Sequence, residues 1–192
     1  MKVTKAQAQA NRTRIVETAS TLFREHGYDG VGVADLMAAA GLTHGGFYKH
    51  FQSKTDLMAE AATCGISQTV AMTKNANPAT VVEQYLSRLH RDTPSQGCTM
   101  AALCSDAARQ PAVVKAAFAS GLEDLLAVLT PDITMDEVAL QEARAKSINT
   151  FAHALGALIL SRSCPDDSPL ADEILEVCRS AIQSNLAASS EQ

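Results

Sequence analysis

VGVADLMAAAGLTHGGFYKHFQSKTD, residues 31–56, decides the fold. A short apolar run over residues 33–40 stops at Gly41. A second short run from Thr43 carries polar and aromatic groups, and Ser53 opens a third helix. Glycine enters the left-handed backbone region without steric cost, so Gly41 suits a tight turn between two short helices. Two short helices about such a turn form a helix-turn-helix, whose second helix enters the major groove of DNA.

Working outward, Ile15, Val16, Ala19, Leu22 and Phe23 recur at helical spacing, which predicts an amphipathic helix over about 10–26, ended near Gly27. Gly30 and Gly32 permit the turn that follows. Ser53 and Asp56 form a capping box, and the helix they open is expected to reach about residue 74. Asn77-Pro78, Gly97-Cys98, Pro111, the Thr134/Glu137 capping box and Ser168-Pro169 each read as helix starts. The helix from Thr134 is expected to run to about Ser161 and the last to about Ala187. Strand alternation and internal repeats are absent from the sequence, so the expected fold is all-α, with a three-helix head over 1–54 and a larger helical body over 55–192.

The net charge of −5 divides unevenly. Residues 1–54 hold seven lysines and arginines against four carboxylates, a net +3, which leaves −8 for the remainder. A basic head on an acidic body concentrates the attraction for phosphate at one end. The five cysteines form an odd set without CxxC spacing, which argues against a disulfide framework or a structural zinc site. The chain begins without an apolar stretch of signal-peptide type and holds no membrane-spanning run, so a cytoplasmic protein is expected. No cofactor is implied.

The head needs a core of its own. Ile15, Leu22, Phe23, Leu36, Met37, Leu42, Phe47 and Phe51 are its expected members, and Phe47 and Phe51 share one helix face. His44, Gly45, Tyr48 and Lys49 are left facing outward. Gly45 and Gly46 are the informative pair: inside a helix each costs about 1 kcal/mol relative to alanine, and their return is a backbone that can approach another surface closely. Thr43 is placed to cap the second helix. Lys49, Lys54, His44 and His50 are candidates for phosphate or base-edge contact.

Gly27-Tyr28-Asp29, Val33-Ala34-Asp35-Leu36-Met37, Ala40-Gly41-Leu42-Thr43, Gly46-Phe47-Tyr48-Lys49-His50-Phe51 and Ser53-Lys54 together resemble the N-terminal signature of the TetR family of bacterial repressors. The likeness covers about the first 60 residues. It implies a homodimer on double-stranded palindromic operator DNA, a ligand pocket in the body, and release of DNA when a small-molecule effector fills the pocket. It also implies that Thr43, His44, Gly45, Tyr48, His50 and Lys54 lie at or near the DNA. The sequence departs from the pattern in two ways: Val31 and Gly32 stand where a hydroxyl is common, and His44 stands where a lysine or arginine is frequent.

In the body, Ile148, Phe151, Ala152, Leu155, Leu158 and Ile159 form one apolar stripe, and Leu170, Ile174, Leu175, Val177, Cys178 and Ile182 form a second. The resemblance suggests that these last two helices also meet their symmetry mates. Met100, Leu103, Phe118, Leu122, Phe151 and Leu155 are candidates for an apolar effector pocket, or for plain core. Cys98, at a helix start where the dipole favours a thiolate, is the candidate for a thiol-based electrophile or redox sensor, or a small buried hydrophobe. His90, Asp92 and His153 near Cys98 are the only residues from which an enzyme site is imaginable. Without a nucleophile elbow, metal spacing or phosphate loop, no enzyme is expected.

Overall fold

The computed structural model describes residues 4–130 and 137–190, and every regular element in them is helical. In chain order these are α1 (Lys5–His26), α2 (Val33–Ala39), a 3-10 segment (His44–Lys49), α3 (Lys54–Thr73), α4 (Pro78–Tyr85), α5 (Arg88–Asp92), a 3-10 turn (Pro94–Gln96), α6 (Thr99–Ala107), α7 (Ala112–Leu129), α8 (Glu137–Arg162) and α9 (Pro169–Ser190). The expected starts at Asn77-Pro78, Gly97-Cys98, Pro111 and Ser168-Pro169 are all realised. Thr134 lies outside the described residues. Two short elements were not expected, α5 and the turn after it, and α1 begins several residues earlier than the apolar spacing predicts.

The helix ends follow capping chemistry. Asn77 Oδ1 accepts from the N–H groups of Ala79 and Thr80, and Ser53 Oγ accepts from Asp56 N at 3.1 Å. At the end of α2, Leu42 N donates to Met37 O and Gly41 N to Ala38 O, with Gly41 at φ +67°. That is a Schellman closure, and it explains why glycine stands at position 41.

The chain divides into two compact units. The first holds residues 1–69 and 98–122; the second holds 70–97 and 123–192. The first unit buries Ile15, Phe23, Leu36, Met37, Phe47 and Phe51 as expected, while Leu22 and Leu42 are only half-buried. Tyr28 joins this core, edge-on to Phe23 at 5.0 Å between ring centroids. Each large apolar side chain removed from water contributes about 1.5–3 kcal/mol toward holding this unit together. In the same unit, Ser20 of α1 and Thr99 of α6 share the buried guanidinium of Arg24, at 2.9 and 3.4 Å. Gly65 of α3 lies against that cluster: a Cβ there would stand 2.3 Å from Thr99 Oγ1 and 2.6 Å from Arg24 Nη1.

In the second unit α8 and α9 pack along each other, and two arginines exchange helix caps. Arg91, only 4 % exposed, donates from Nε to the Ser161 carbonyl and hydroxyl at 3.1 Å and from Nη2 to Cys164 O at 2.9 Å. It thereby satisfies carbonyls at the C-terminal end of α8. Arg162, the last residue of α8, returns the favour: its Nε donates to Arg91 O at 3.0 Å and its Nη2 to His90 O at 2.6 Å. Asp92 and Asp166 neutralise Arg91 at 2.5 and 3.0 Å.

Candidate nucleic-acid interface

The second helix of the motif is a 3-10 segment, His44–Lys49, rather than an α-helix. Its backbone closes through Gly46 N to Thr43 O at 2.9 Å and His50 N to Phe47 O at 2.9 Å. Thr43 heads it in extended conformation, but its hydroxyl makes no capping bond, so the expected cap is present in position and not in chemistry. Phe47 and Phe51 anchor the segment to the core, their ring centroids 5.5 Å apart.

With the anchors inward, the rest of the segment faces out. His44, Gly45 and Lys49 are exposed, and Gly46 and His50 are half-buried. Tyr48 is 70 % exposed, its ring edge-on to Phe47 at 5.2 Å. Lys54 is partly covered: Nζ donates to the Tyr28 carbonyl at 2.5 Å and lies 5.9 Å from the centroid of the Phe23 ring. Tyr28 was missed as a site-supporting residue because its burial leaves no periodic signal in a loop.

The two glycines carry most information. Neither has a positive φ. A Cβ on Gly45 would meet nothing within 4 Å, and one on Gly46 would make only ordinary contacts, 3.6 Å from Met37 Cε and 3.8 Å from Thr43 Oγ1. The fold itself therefore has no steric need of glycine at either position, in contrast to Gly30, where a Cβ would stand 2.2 Å from the His26 carbonyl.

The residues expected to line an effector pocket distribute differently. Cys98, Met100, Leu103 and Phe118 are core members of the first unit, and Leu122, at its edge, is partly exposed. Phe151 and Leu155 are half-buried in the second unit. None of the seven lines the cleft of about 360 Å³ in the second unit, whose walls are Leu86, Arg88, Asp172, Glu173, Leu175, Glu176 and Arg179. Cys98 is 5 % exposed and stands as the N-cap of α6. Burial pulls the Arg24 guanidinium below its ordinary range, and the nearby Cys64 and Cys98 sulfurs oppose that shift. Burial raises the Cys104 thiol to about 11.

Comparison with known proteins places this geometry. Residues 15–61 match the family model described as bacterial regulatory proteins, tetR family. The chain is 39 % identical over 57 residues to the HTH-type transcriptional regulator AcrR of Shigella flexneri, covering 30 % of this chain and 26 % of that one. It is 41 % identical over 59 residues to the probable acrEF/envCD operon repressor of Escherichia coli K12, covering 31 % and 27 %. These matches span about a quarter of the curated relatives' length. Beyond them the likeness is one of fold: a TetR-family regulator from Agrobacterium tumefaciens superposes with a TM-score of 0.70 at 20 % identity, covering 92 % of this chain and 98 % of that one. The helix-turn-helix over residues 15–61 is thus similar to that of the TetR family of bacterial regulatory proteins, and the chain as a whole shares the fold of its solved neighbours.

Proposed function

We propose that the protein is a transcriptional regulator, a repressor that binds a palindromic operator as a homodimer and leaves it when a small molecule occupies the body. Residues 1–54 read the DNA; residues 55–192 dimerise and sense. The observation that carries the DNA reading is the pair Gly45-Gly46, where side chains would fit and are nevertheless missing, beside the exposed Tyr48 and Lys49. A helix end stripped of side chains admits the sugar–phosphate backbone and base edges at van der Waals distance. Thr43, His44, His50 and Lys54 flank it as further contacts. Fluorescence-anisotropy titration with duplex from upstream of the protein's own gene tests this: Tyr48→Ala and Lys49→Gln should each weaken binding several-fold, with thermal stability unchanged.

Dimerisation is supported by apolar side chains that the single chain leaves in water. Ile148, Ile159 and Leu160 of α8 and Leu170 and Val177 of α9 are all exposed, Val177 at 60 %. Two linked heads on one palindrome also gain effective concentration over one. Placing a charge in such a face introduces it twice across a two-fold axis. Val177→Glu should therefore raise the dimer dissociation constant about a hundredfold, roughly 3 kcal/mol, read by sedimentation.

The effector is read in two ways. An apolar ligand of the body is the first. The second is covalent modification of Cys98, favoured by its place at the head of α6 beside the buried Arg24. A mild quinone should abolish DNA binding by the wild type and spare Cys98→Ser if the second holds; equal loss, or no loss, in both proteins returns the search to reversible ligands.

A further inference from the structure

The unit that contains the helix-turn-helix is discontinuous: residues 98–122 fold with residues 1–69. Two polar contacts join α6 to α1 and the turn that follows it. One is the buried bond of Arg24 to Thr99. The other is at the turn between α1 and α2. Asp106, in the last turn of α6, accepts through Oδ2 from the Tyr28 N–H at 3.3 Å. The same oxygen would stand 2.8 Å from a Cβ on Gly27, whose φ is +74°. Glycine at 27 thus serves both a left-handed backbone and the carboxylate laid over it. Arg109 donates to the other oxygen, Oδ1, at 2.8 Å, so the acid is fixed where it meets the turn.

Tyr28 is held on its other side as well. Its carbonyl accepts from Nζ of Lys54, the first residue of α3, at 2.5 Å. The ring is buried, and its hydroxyl makes no hydrogen bond among the described residues. Tyr28 therefore links its neighbours through its main chain, with α6 on the N–H and α3 on the carbonyl. A buried N–H demands an acceptor, and this one takes it from a residue 78 positions away. That acceptor is a carboxylate, in a unit whose proposed ligand is a polyanion. A negative charge there weakens the attraction for phosphate, so its presence calls for a compensating role.

We propose that Asp106 is a positioning residue for DNA binding. Through the Tyr28 main chain it fixes the turn that leads into α2 and the start of α3. These two helices flank the recognition segment, His44–Lys49, and their placement sets the angle at which it meets the groove. Asp106 itself touches no DNA. The inference rests on the DNA-binding reading above. It predicts a larger effect on base readout than on phosphate attraction, because base edges are read only at the correct angle.

Anisotropy titrations of the full chain on upstream DNA and on a scrambled duplex test it. Asp106→Ala removes the acceptor and should weaken binding to upstream DNA about tenfold while changing the scrambled duplex little. Asp106→Asn keeps an oxygen for the Tyr28 N–H and should stay within about twofold of the wild type. A pure charge effect has the opposite sign: both variants, each one acid short, would bind both duplexes more tightly, and that result overturns the proposal. Wild-type affinity in Asp106→Ala overturns it too. Arg91→Lys, in the other unit, controls for stability alone; an equal loss of affinity there assigns the effect to general destabilisation and overturns the positioning role. A wild type that shows no preference for upstream DNA overturns the DNA reading itself.

Discussion

The recognition segment, His44–Lys49, and α5, Arg88–Asp92, are both single short helical pieces, and they are built in opposite ways. The recognition segment has two adjacent glycines, no side-chain cap and an outer face on which His44, Tyr48 and Lys49 stand exposed. It holds by Phe47 and the neighbouring Phe51 alone. α5 is capped at its start by Ser87, whose Oγ accepts from His90 N at 3.2 Å, and at its end by Arg162. Its own Arg91 is spent on the neighbouring helix end. One segment leaves its polar groups for something else to use; the other uses them all. Sequence choices that serve the fold and those that serve a partner are thus separable by asking what a substitution would meet.

The largest expected effect is at α5. Arg91→Ala leaves carbonyls of the α8 end and the Asp92 and Asp166 carboxylates without their donor. Leaving buried acceptors without their donor typically costs about 1–3 kcal/mol each, while the two carboxylates, 40 % and 94 % exposed, return to water. Urea unfolding should show that loss. Arg91→Lys should recover only part, since one ammonium lacks the fork that reaches Ser161, Cys164 and both carboxylates together. A loss under 1 kcal/mol would mean that water replaces the guanidinium and that α5 is no better secured than the recognition segment.

The reverse pattern is expected at Gly45. The added methyl of Gly45→Ala enters open space, so stability should stay level or rise by up to about 1 kcal/mol from helix propensity. DNA affinity should fall by about tenfold or more, some 1.4 kcal/mol, because the same methyl enters the space reserved for the duplex. Thermal melting and anisotropy on one preparation give both numbers. An unchanged affinity would sink the close-approach reading and leave the glycine pair unexplained by anything in the structure.

The contrast also explains what was legible. Gly41, the glycine pair and the paired phenylalanines were readable because turn chemistry and outward-facing residues restrict residue type locally. The starts of α4, α6, α7 and α9 were readable from their capping and proline signals. α5 was not, since Arg-Leu-His-Arg-Asp is too short to show a period and its stabilisation comes from residues about 70 positions away. The first turns of α1 were invisible for a related reason: helical spacing is detected through apolar residues, and that stretch has no core to face. Effector residues were the least readable, because Met100, Leu103 and Phe118 have the composition of a pocket wall and of a core alike, and here they are buried core.

The smallest expected effect sharpens the comparison through pH. His90 is enclosed in the second unit: Nδ1 donates to the Tyr85 carbonyl at 2.7 Å, and the Tyr85 ring centroid lies 4.7 Å from its own. A Cβ on Gly97 would stand 2.6 Å from Nε2. Burial lowers its pKa below the ordinary histidine value; the Tyr85 bond opposes this and the Arg162 charge adds to it. A histidine held neutral in the fold binds its proton more readily when unfolded, so its contribution is fully present above the unfolded pKa of about 6.5 and is lost as pH falls through the lower folded value. The urea midpoint should thus fall between about pH 7.5 and pH 5, and His90→Gln should flatten part of that fall.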